Sequence, residues 1–318
     1  MKINLISSYD LQSLLSQKPI AKDIEIYFNS SQESDVTVII NHSLIDLDIT
    51  SRSGNIFLLH QEPNTVGIYN KKYLINNRIS KLFTHTPSRS KGVEVITSHP
   101  GLPWSLDMSH FELSSQRFRD EKNDAIVMIS SNKRYFSGHI LRLRVRDWIL
   151  KNQSNVNLYG RGHNPFEKKE KVLSHFKYSI EVENILKKDY WTEKLSDCFL
   201  MNTLPIYQGC PNLTKYFPED SFINATGCTP SETVALAQSA VRDREWERRQ
   251  DALAEAKRLV LEKYSLFPTI FEMAKSHYNE GKICNTRINK FTKTKFEKLA
   301  LSSLKRAHGR LPLIEKFI

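Results

Sequence analysis

Residues 176–224, FKYSIEVENILKKDYWTEKLSDCFLMNTLPIYQGCPNLTKYFPEDSFIN, constrain the fold of this chain most. Lys177–Val182 alternates polar and apolar residues and is rich in β-formers, so it reads as a strand ending at Glu183 and Asn184. Asp189-Tyr190-Trp191-Thr192-Glu193-Lys194 opens a helix over Leu195–Asn202, and Leu204–Tyr207 is a second short strand. Strands alternating with short helices imply a largely parallel sheet. In such sheets ligands bind outside the carboxyl ends of the strands, close to helix N-termini. The polar cluster of this stretch stands at such a place. A lysine in the first helical turn suits a diphosphate, and the glutamate beside it suits a ribose diol.

The same alternation runs through most of the chain. Strands are predicted at 24–28, 36–40, 55–59, 81–85 and 93–96, with a helix over 71–77, making residues 1–118 one α/β unit. Residues 114–123 are charged and read as a linker. A second unit, 119–265, opens with the apolar strand 125–129, followed by a helix over 139–151 that carries Arg142, Arg144 and Arg146. Strand 156–159 leads into the turn Gly160-Arg161-Gly162, then a helix over 167–175. Thr229-Pro230-Ser231-Glu232 is a capping box that starts a long helix reaching about residue 263. Residues 266–318 read as a helical basic segment. With 318 residues, two domains are the natural division.

Charge and cysteine usage narrow the classes. The net charge of +11 is concentrated in residues 281–318, which hold ten Lys/Arg against two Glu, interleaved with leucines. That pattern predicts contact with an anionic membrane surface; the plainer alternative is a solvated helix face. No nucleic-acid module accompanies it. The four cysteines have no metal-ligand spacing and read as reduced thiols of a cytosolic protein. The opening MKINLISSYDLQSLLSQKP lacks the apolar run of a signal or anchor. No P-loop, nucleophile elbow or His-based metal set is present.

The run Glu183-Asn184, Asp189-Tyr190-Trp191-Thr192-Glu193-Lys194, Pro205-Ile206, Gly209, Pro211-Asn212, Pro218 and Ser221-Phe222-Ile223 resembles the donor-binding motif of the family 10 fucosyltransferases. It departs at Val182, where the family has an aromatic, and at Trp191, where it has a small aliphatic. The resemblance implies a GT-B fold: two Rossmann-like domains facing across a cleft, here with a basic C-terminal tail. It also implies transfer of L-fucose from GDP-fucose to a glycan hydroxyl with inversion, as a soluble bacterial-type enzyme needing no obligatory metal or other cofactor.

By the same resemblance Lys194 and Arg142 stabilise the leaving diphosphate, with Arg144 as the alternative to Arg142. Glu193 holds the ribose, and Asn184, Tyr190 and Thr192 flank the donor. Glu183 is open between a ligand and a packing carboxylate. Glu62, after the third predicted strand, is the general base, with His60 as its rival. The acceptor would be a glycan or lipid-linked glycan in cell-surface polysaccharide (lipopolysaccharide) synthesis. The place would be cytoplasmic, peripheral on the inner face of the plasma membrane. Two other readings stand beside this one: a GT-B transferase using another GDP-sugar, and a non-catalytic basic protein binding membrane or nucleic acid.

Overall fold

The computed structural model describes residues 1–7, 9–63, 71–86, 92–116 and 122–291. Most of the basic tail, and the centre of the charged linker, lie outside that set. The first unit holds β1 (Lys2–Ser7), β2 (Glu25–Phe28), β3 (Glu33–Ser34), β4 (Val36–Ile40), β5 (Leu47–Arg52), β6 (Ile56–Leu59), β7 (Lys81–Thr84) and β8 (Glu94–Thr97), with helices α1 (Lys71–Asn76) and α2 (His110–Ser115). Six of these strands form one parallel sheet in the order β2-β1-β4-β6-β7-β8. β1 and β5 were not expected from sequence; β1 pairs on both sides with strands that were.

Both faces of this sheet are covered, as near-continuous apolar strands require. Ile3, Leu5, Val36, Val38, Phe57 and Leu59 point to one face, and Ile6, Ile39, Ile56 and Leu58 to the other. Each such side chain, once fully buried, contributes roughly 1.5–3 kcal/mol.

The second unit contains β9 (Asn123–Ile129), α3 (Ser137–Lys151), β10 (Val156–Tyr159), α4 (Lys169–Leu173), β11 (Phe176–Val182), α5 (Glu193–Leu200), β12 (Leu204–Gln208) and β13 (Ile223–Asn224). Its sheet is also parallel, in the order β10-β9-β11-β12-β13. The long helix expected from residue 229 is instead α6 (Pro230–Arg242), α7 (Glu245–Arg248) and α8 (Gln250–Leu259), then a π-helical turn at Val260–Tyr264. Its capping box is present, with Thr229 accepting from the Glu232 amide. The break falls at Arg244, whose φ of 52° places it in the left-handed region and turns the chain.

The segment after residue 265 opens as a helix, as expected, and then departs into a strand. α9 (Leu266–His277) is amphipathic and seats Leu266, Phe267, Ile270 and Met273 against the first sheet, beside Val38 and Phe57. β14 (Ile283–Ile288) is a strand, antiparallel to β5, in a small sheet ordered β14-β5-β3. The chain therefore returns to its first unit after completing the second.

The start of α3 presses on the end of β11. The Gly138 amide donates to the Asn184 carbonyl at 3.0 Å. A Cβ on Gly138 would lie 1.9 Å from the Glu183 carbonyl oxygen, which is backbone and cannot swing aside. Gly138→Ala should therefore cost about 1–3 kcal/mol or more, as overpacking does. Urea unfolding checks this, and an unchanged midpoint would show that the helix start shifts freely.

Candidate active site

The second sheet reverses its order of connection between β9 and β11, so a crevice opens above their carboxyl ends. Three pieces border it: Ser131 after β9, the first turns of α3, and the loop from Glu183 to Thr192 that enters α5.

Half of the polar residues of that loop hold its shape. Glu183 is fully buried and accepts from the Thr192 amide at 2.8 Å and the Thr192 hydroxyl at 2.9 Å. Thr192 in turn caps α5, its oxygen accepting from the Lys194 amide. Asp189 sits at φ 59°, and its carboxylate accepts from Asn212 at 3.0 Å, Lys215 at 2.9 Å and the Tyr216 hydroxyl at 2.5 Å. Its amide donates back to Asn212 Oδ1 at 2.9 Å. Gly209 is required beside them: a Cβ there would meet the Tyr207 hydroxyl at 2.3 Å and Glu183 Cγ at 2.6 Å. The geometry thus gives Glu183 a packing role. Thr192, expected at the donor, is buried with its hydroxyl engaged by Glu183 and Lys194.

Asn184, Glu193 and Lys194 remain partly accessible on the crevice side. Lys194 Nζ lies 3.0 Å from Thr192 Oγ1, 3.2 Å from Glu193 Oε1 and 3.6 Å from Glu183 Oε2. Burial opposes its ammonium, but Glu193 and Glu183 outweigh that and raise its pKa, while the Arg142 charge opposes them. Arg142 approaches from α3 and is buried, donating to Ser131 Oγ at 3.0 Å and Asn184 Oδ1 at 3.4 Å. Burial is the largest influence on its guanidinium and lowers its pKa; Glu181, Glu183 and Glu193 act against this. Arg142 and Lys194 therefore share one charged cluster. Arg144 is exposed, away from the crevice, whereas Arg146, one turn beyond Arg142, donates to Asn132 at 2.6 Å. Tyr190 is buried, and burial, with the charges of Glu183 and Glu193, raises the pKa of its hydroxyl.

A third cation was not anticipated from sequence. Lys169 on α4 pairs with the fully buried Asp197 at 2.8 Å. Burial disfavours its charge, yet Asp197 and Glu181 raise its pKa. Asp197 lies four residues after Glu193 on the same face of α5, which is the one sequence signal that could have marked it. The Ser105 amide of the first unit also donates to Asp197, at 3.1 Å.

Glu62 comes from the other side of the cleft. β6 ends at Leu59, and Gln61 pins the strand end, its amide donating to Asn41 at 2.8 Å and its side chain to the Gly101 carbonyl at 2.8 Å. Glu62 is the exposed next residue, and its charge acts on both Tyr9 and Tyr190. A ladder of rings crosses beneath: His60 stacks on His85 at 4.8 Å, and His85 meets Tyr190 at 4.8 Å. Burial, helped by Lys187, pulls His60 down to about 4, so its ring is neutral. It is bonded to Thr84 at 2.9 Å, beneath the exposed Glu62.

Comparison with known proteins bears on this architecture. Residues 119–245 match the family model "Glycosyltransferase family 10 (fucosyltransferase) C-term". That match spans the second sheet and the helices through α6. A putative fucosyltransferase-like protein of Arabidopsis thaliana is 32% identical over 56% of this chain and 36% of its own length. An α-(1,3)-fucosyltransferase of Helicobacter pylori is 40% identical over 20% of this chain and 13% of its own. The chain therefore aligns with well under half the length of either relative. Among solved structures, an α1,3-fucosyltransferase superposes with a TM-score of 0.50 at 16% identity, covering 92% of both chains. An α-glucosyltransferase in complex with UDP-glucose and DNA superposes at 0.54 and 10% identity, covering 86% of this chain and 99% of the other. At such identities the likeness is one of fold, and that fold is GT-B.

The loop that enters α5 makes a pH prediction. Burial pushes the Glu193 carboxyl up, but Lys194 and Lys169 outweigh it and hold it at about 2. A depressed folded pKa adds stability that is complete above the unfolded value and is lost as pH falls toward the folded one. Glu193→Gln should therefore destabilise at neutral pH, and by less as pH drops from about 5 toward 3. Denaturant curves across that range check it; a difference that does not narrow would refute the assignment.

Proposed function

We propose that the chain transfers L-fucose from GDP-fucose to a glycan hydroxyl by a single inverting displacement. The observation that carries this reading is that Arg142 and Lys194 both lie beside the buried carboxylate of Glu183 at the switch point of the second sheet, with the charge of Glu62 felt there from the first unit. The family of the matched domain supports the sugar.

In this reading the acceptor oxygen attacks the anomeric carbon while the bond from that carbon to the β-phosphate oxygen breaks. Glu62 takes the hydroxyl proton. Negative charge grows on the departing GDP, and Arg142 and Lys194 stabilise it, already oriented and partly shielded from water. Such preorganised cations do more than mobile ones, because nothing must rearrange as the charge appears. Glu193, partly accessible beside Lys194, would accept from the ribose hydroxyls. Tyr190 closes the sugar side. With one base and no protein nucleophile, configuration inverts. A cell-surface glycan precursor is the acceptor class, and the basic stretch at 281–318 would hold the chain near an anionic membrane.

The test is incubation with labelled GDP-fucose and a panel of glycan acceptors, with and without chelator, alongside calorimetry with GDP. Lys194→Ala or Arg142→Ala should weaken both GDP binding and turnover by about 10- to 150-fold, the value of one charged hydrogen bond. Glu62→Gln should keep GDP affinity while turnover falls ~10²–10⁴-fold. Stabilisation by another nucleotide sugar with no response to GDP-fucose would remove the fucose assignment.

A further inference from the structure

Resting on the reading of Glu62 as the base, we propose that Tyr9, Asn41 and Gln61 are positioning residues that aim it. Their side chains close a hydrogen-bonded ring at the carboxyl edge of the first sheet, and that ring holds the backbone from which Glu62 projects. Tyr9 follows β1, Asn41 follows β4 and Gln61 follows β6, so three strands adjacent in the sheet each supply one member. The Gln61 amide donates to Asn41 Oδ1 at 2.8 Å. Asn41 Nδ2 donates to the Tyr9 hydroxyl at 3.1 Å. The Tyr9 hydroxyl donates in turn to Gln61 Oε1.

The direction of each bond in the ring is set by its neighbours. Gln61 Nε2 donates to the Gly101 carbonyl at 2.8 Å, and a carbonyl only accepts, so Oε1 faces Tyr9. That oxygen also only accepts, so the Tyr9 hydroxyl gives its proton to Gln61 and receives one from Asn41. Burial, then the charge of Glu62, hold the Tyr9 hydroxyl above its ordinary pKa, so it keeps the proton it donates. Asn41 sits at φ 58°, a left-handed conformation that asparagine tolerates better than most residues. Its own amide donates to the Leu59 carbonyl at 2.9 Å, at the very end of β6. Asn41 and Gln61 are both buried, whereas Glu62, the next residue, is exposed.

Gly101 links the ring to the donor side. Its amide donates to His99 Nδ1 at 3.0 Å, and His99 stacks on Trp191 of the donor loop at 5.2 Å. A Cβ on Gly101 would come within 2.8 Å of the Thr269 side chain on α9, so the chain is packed there without slack. Base and donor loop are thereby held to one frame. A displacement needs that, because the carboxylate must stand roughly 2.6–3.2 Å from the hydroxyl it deprotonates.

The test measures transfer of labelled fucose by the full chain to the best acceptor of the panel above, alongside calorimetry with GDP. Tyr9→Phe keeps the ring's bulk and removes its hydroxyl. Asn41→Gly removes both contacts of the asparagine at a φ that glycine adopts freely. Each should lower kcat about tenfold, as loosened catalytic geometry does, while the GDP dissociation constant stays within about twofold. In a Glu62→Gln background Tyr9→Phe should add less than about twofold, because its effect passes through the carboxylate. Should Asn41→Gly not fold, as circular dichroism would report, Tyr9→Phe decides alone. Wild-type kcat in a folded variant, or the full loss persisting without the Glu62 carboxylate, would overturn the proposal. An equal loss of GDP affinity would overturn it too, since aiming the base leaves donor binding alone. Full activity in Glu62→Gln, or no transfer by the wild type to any acceptor, is a different result: it strikes the functional reading, and this proposal with it.

Discussion

The buried carboxylate of Glu183 is the contact on which the site depends. A fully buried carboxylate is costly unless it is hydrogen-bonded and balanced. Here it receives the amide and hydroxyl of Thr192 and faces the ammonium of Lys194 at 3.6 Å. Burial still raises its pKa. The same contact turns the chain into α5 and fixes Thr192 as its cap, so Glu193 and Lys194 emerge in a set direction. Gly209 leaves the space it occupies, and the Tyr207 hydroxyl approaches it at 3.5 Å. Much of a motif that looks like a row of ligands is thus the mounting for a few accessible groups.

A packed set of rings forms part of the junction between the units. Trp191, which stands where related sequences have a small side chain, stacks on His99 of the first unit at 5.2 Å and packs edge-on against Phe217 and Tyr264. Tyr264 ends the π-helical turn from which α9 crosses back. His99 lies among these rings, burial pulls it down to about 3, and its Nδ1 accepts the Gly101 amide at 3.0 Å. A large indole at position 191 therefore has a physical reason: it fills the space between the two units just behind the donor loop.

What the sequence disclosed, and what it withheld, follows from how local each feature is. The run from Glu183 to Asn224 was legible because its cap, turn and strand signals lie within a few residues of the contacts they make. β1 was missed although Ile3 and Leu5 share one face and Ile6 lies on the other, since six residues at the chain's start, with Asn4 and Ser7 among them, resemble a polar lead-in. β14 was misjudged because its partner lies more than two hundred residues earlier, as in the pairing of Arg52 with Ile283. The apolar face of α9 has its reason in the first sheet, against which Leu266, Phe267 and Ile270 pack. Arg142 and Arg144 differ by half a helical turn or so, a distinction that a hydrophobic pattern could not settle with arginine at both positions.

Lys169 and Asp197 show how such a site tolerates several buried charges. Pairing two charges away from water is seldom a net gain in stability, because desolvation offsets their attraction. Asp197 nonetheless sits fully buried, where it takes Lys169 at 2.8 Å and the Ser105 amide at 3.1 Å. Its geometric consequence is specific. Three separate segments, α4, α5 and the stretch leading out of the first unit, converge on one carboxylate. That fixes the rotation of α5 about its axis, and Glu193 and Asp197, one turn apart, then face the same way. Lys169 in turn opposes protonation of Lys194's carboxylate neighbour, holding Glu193 ionised. An apolar replacement of similar shape could keep the fold, but it would neither orient that face nor supply the field. The ion pair is better understood as setting the electrostatics of the crevice than as holding the domain together.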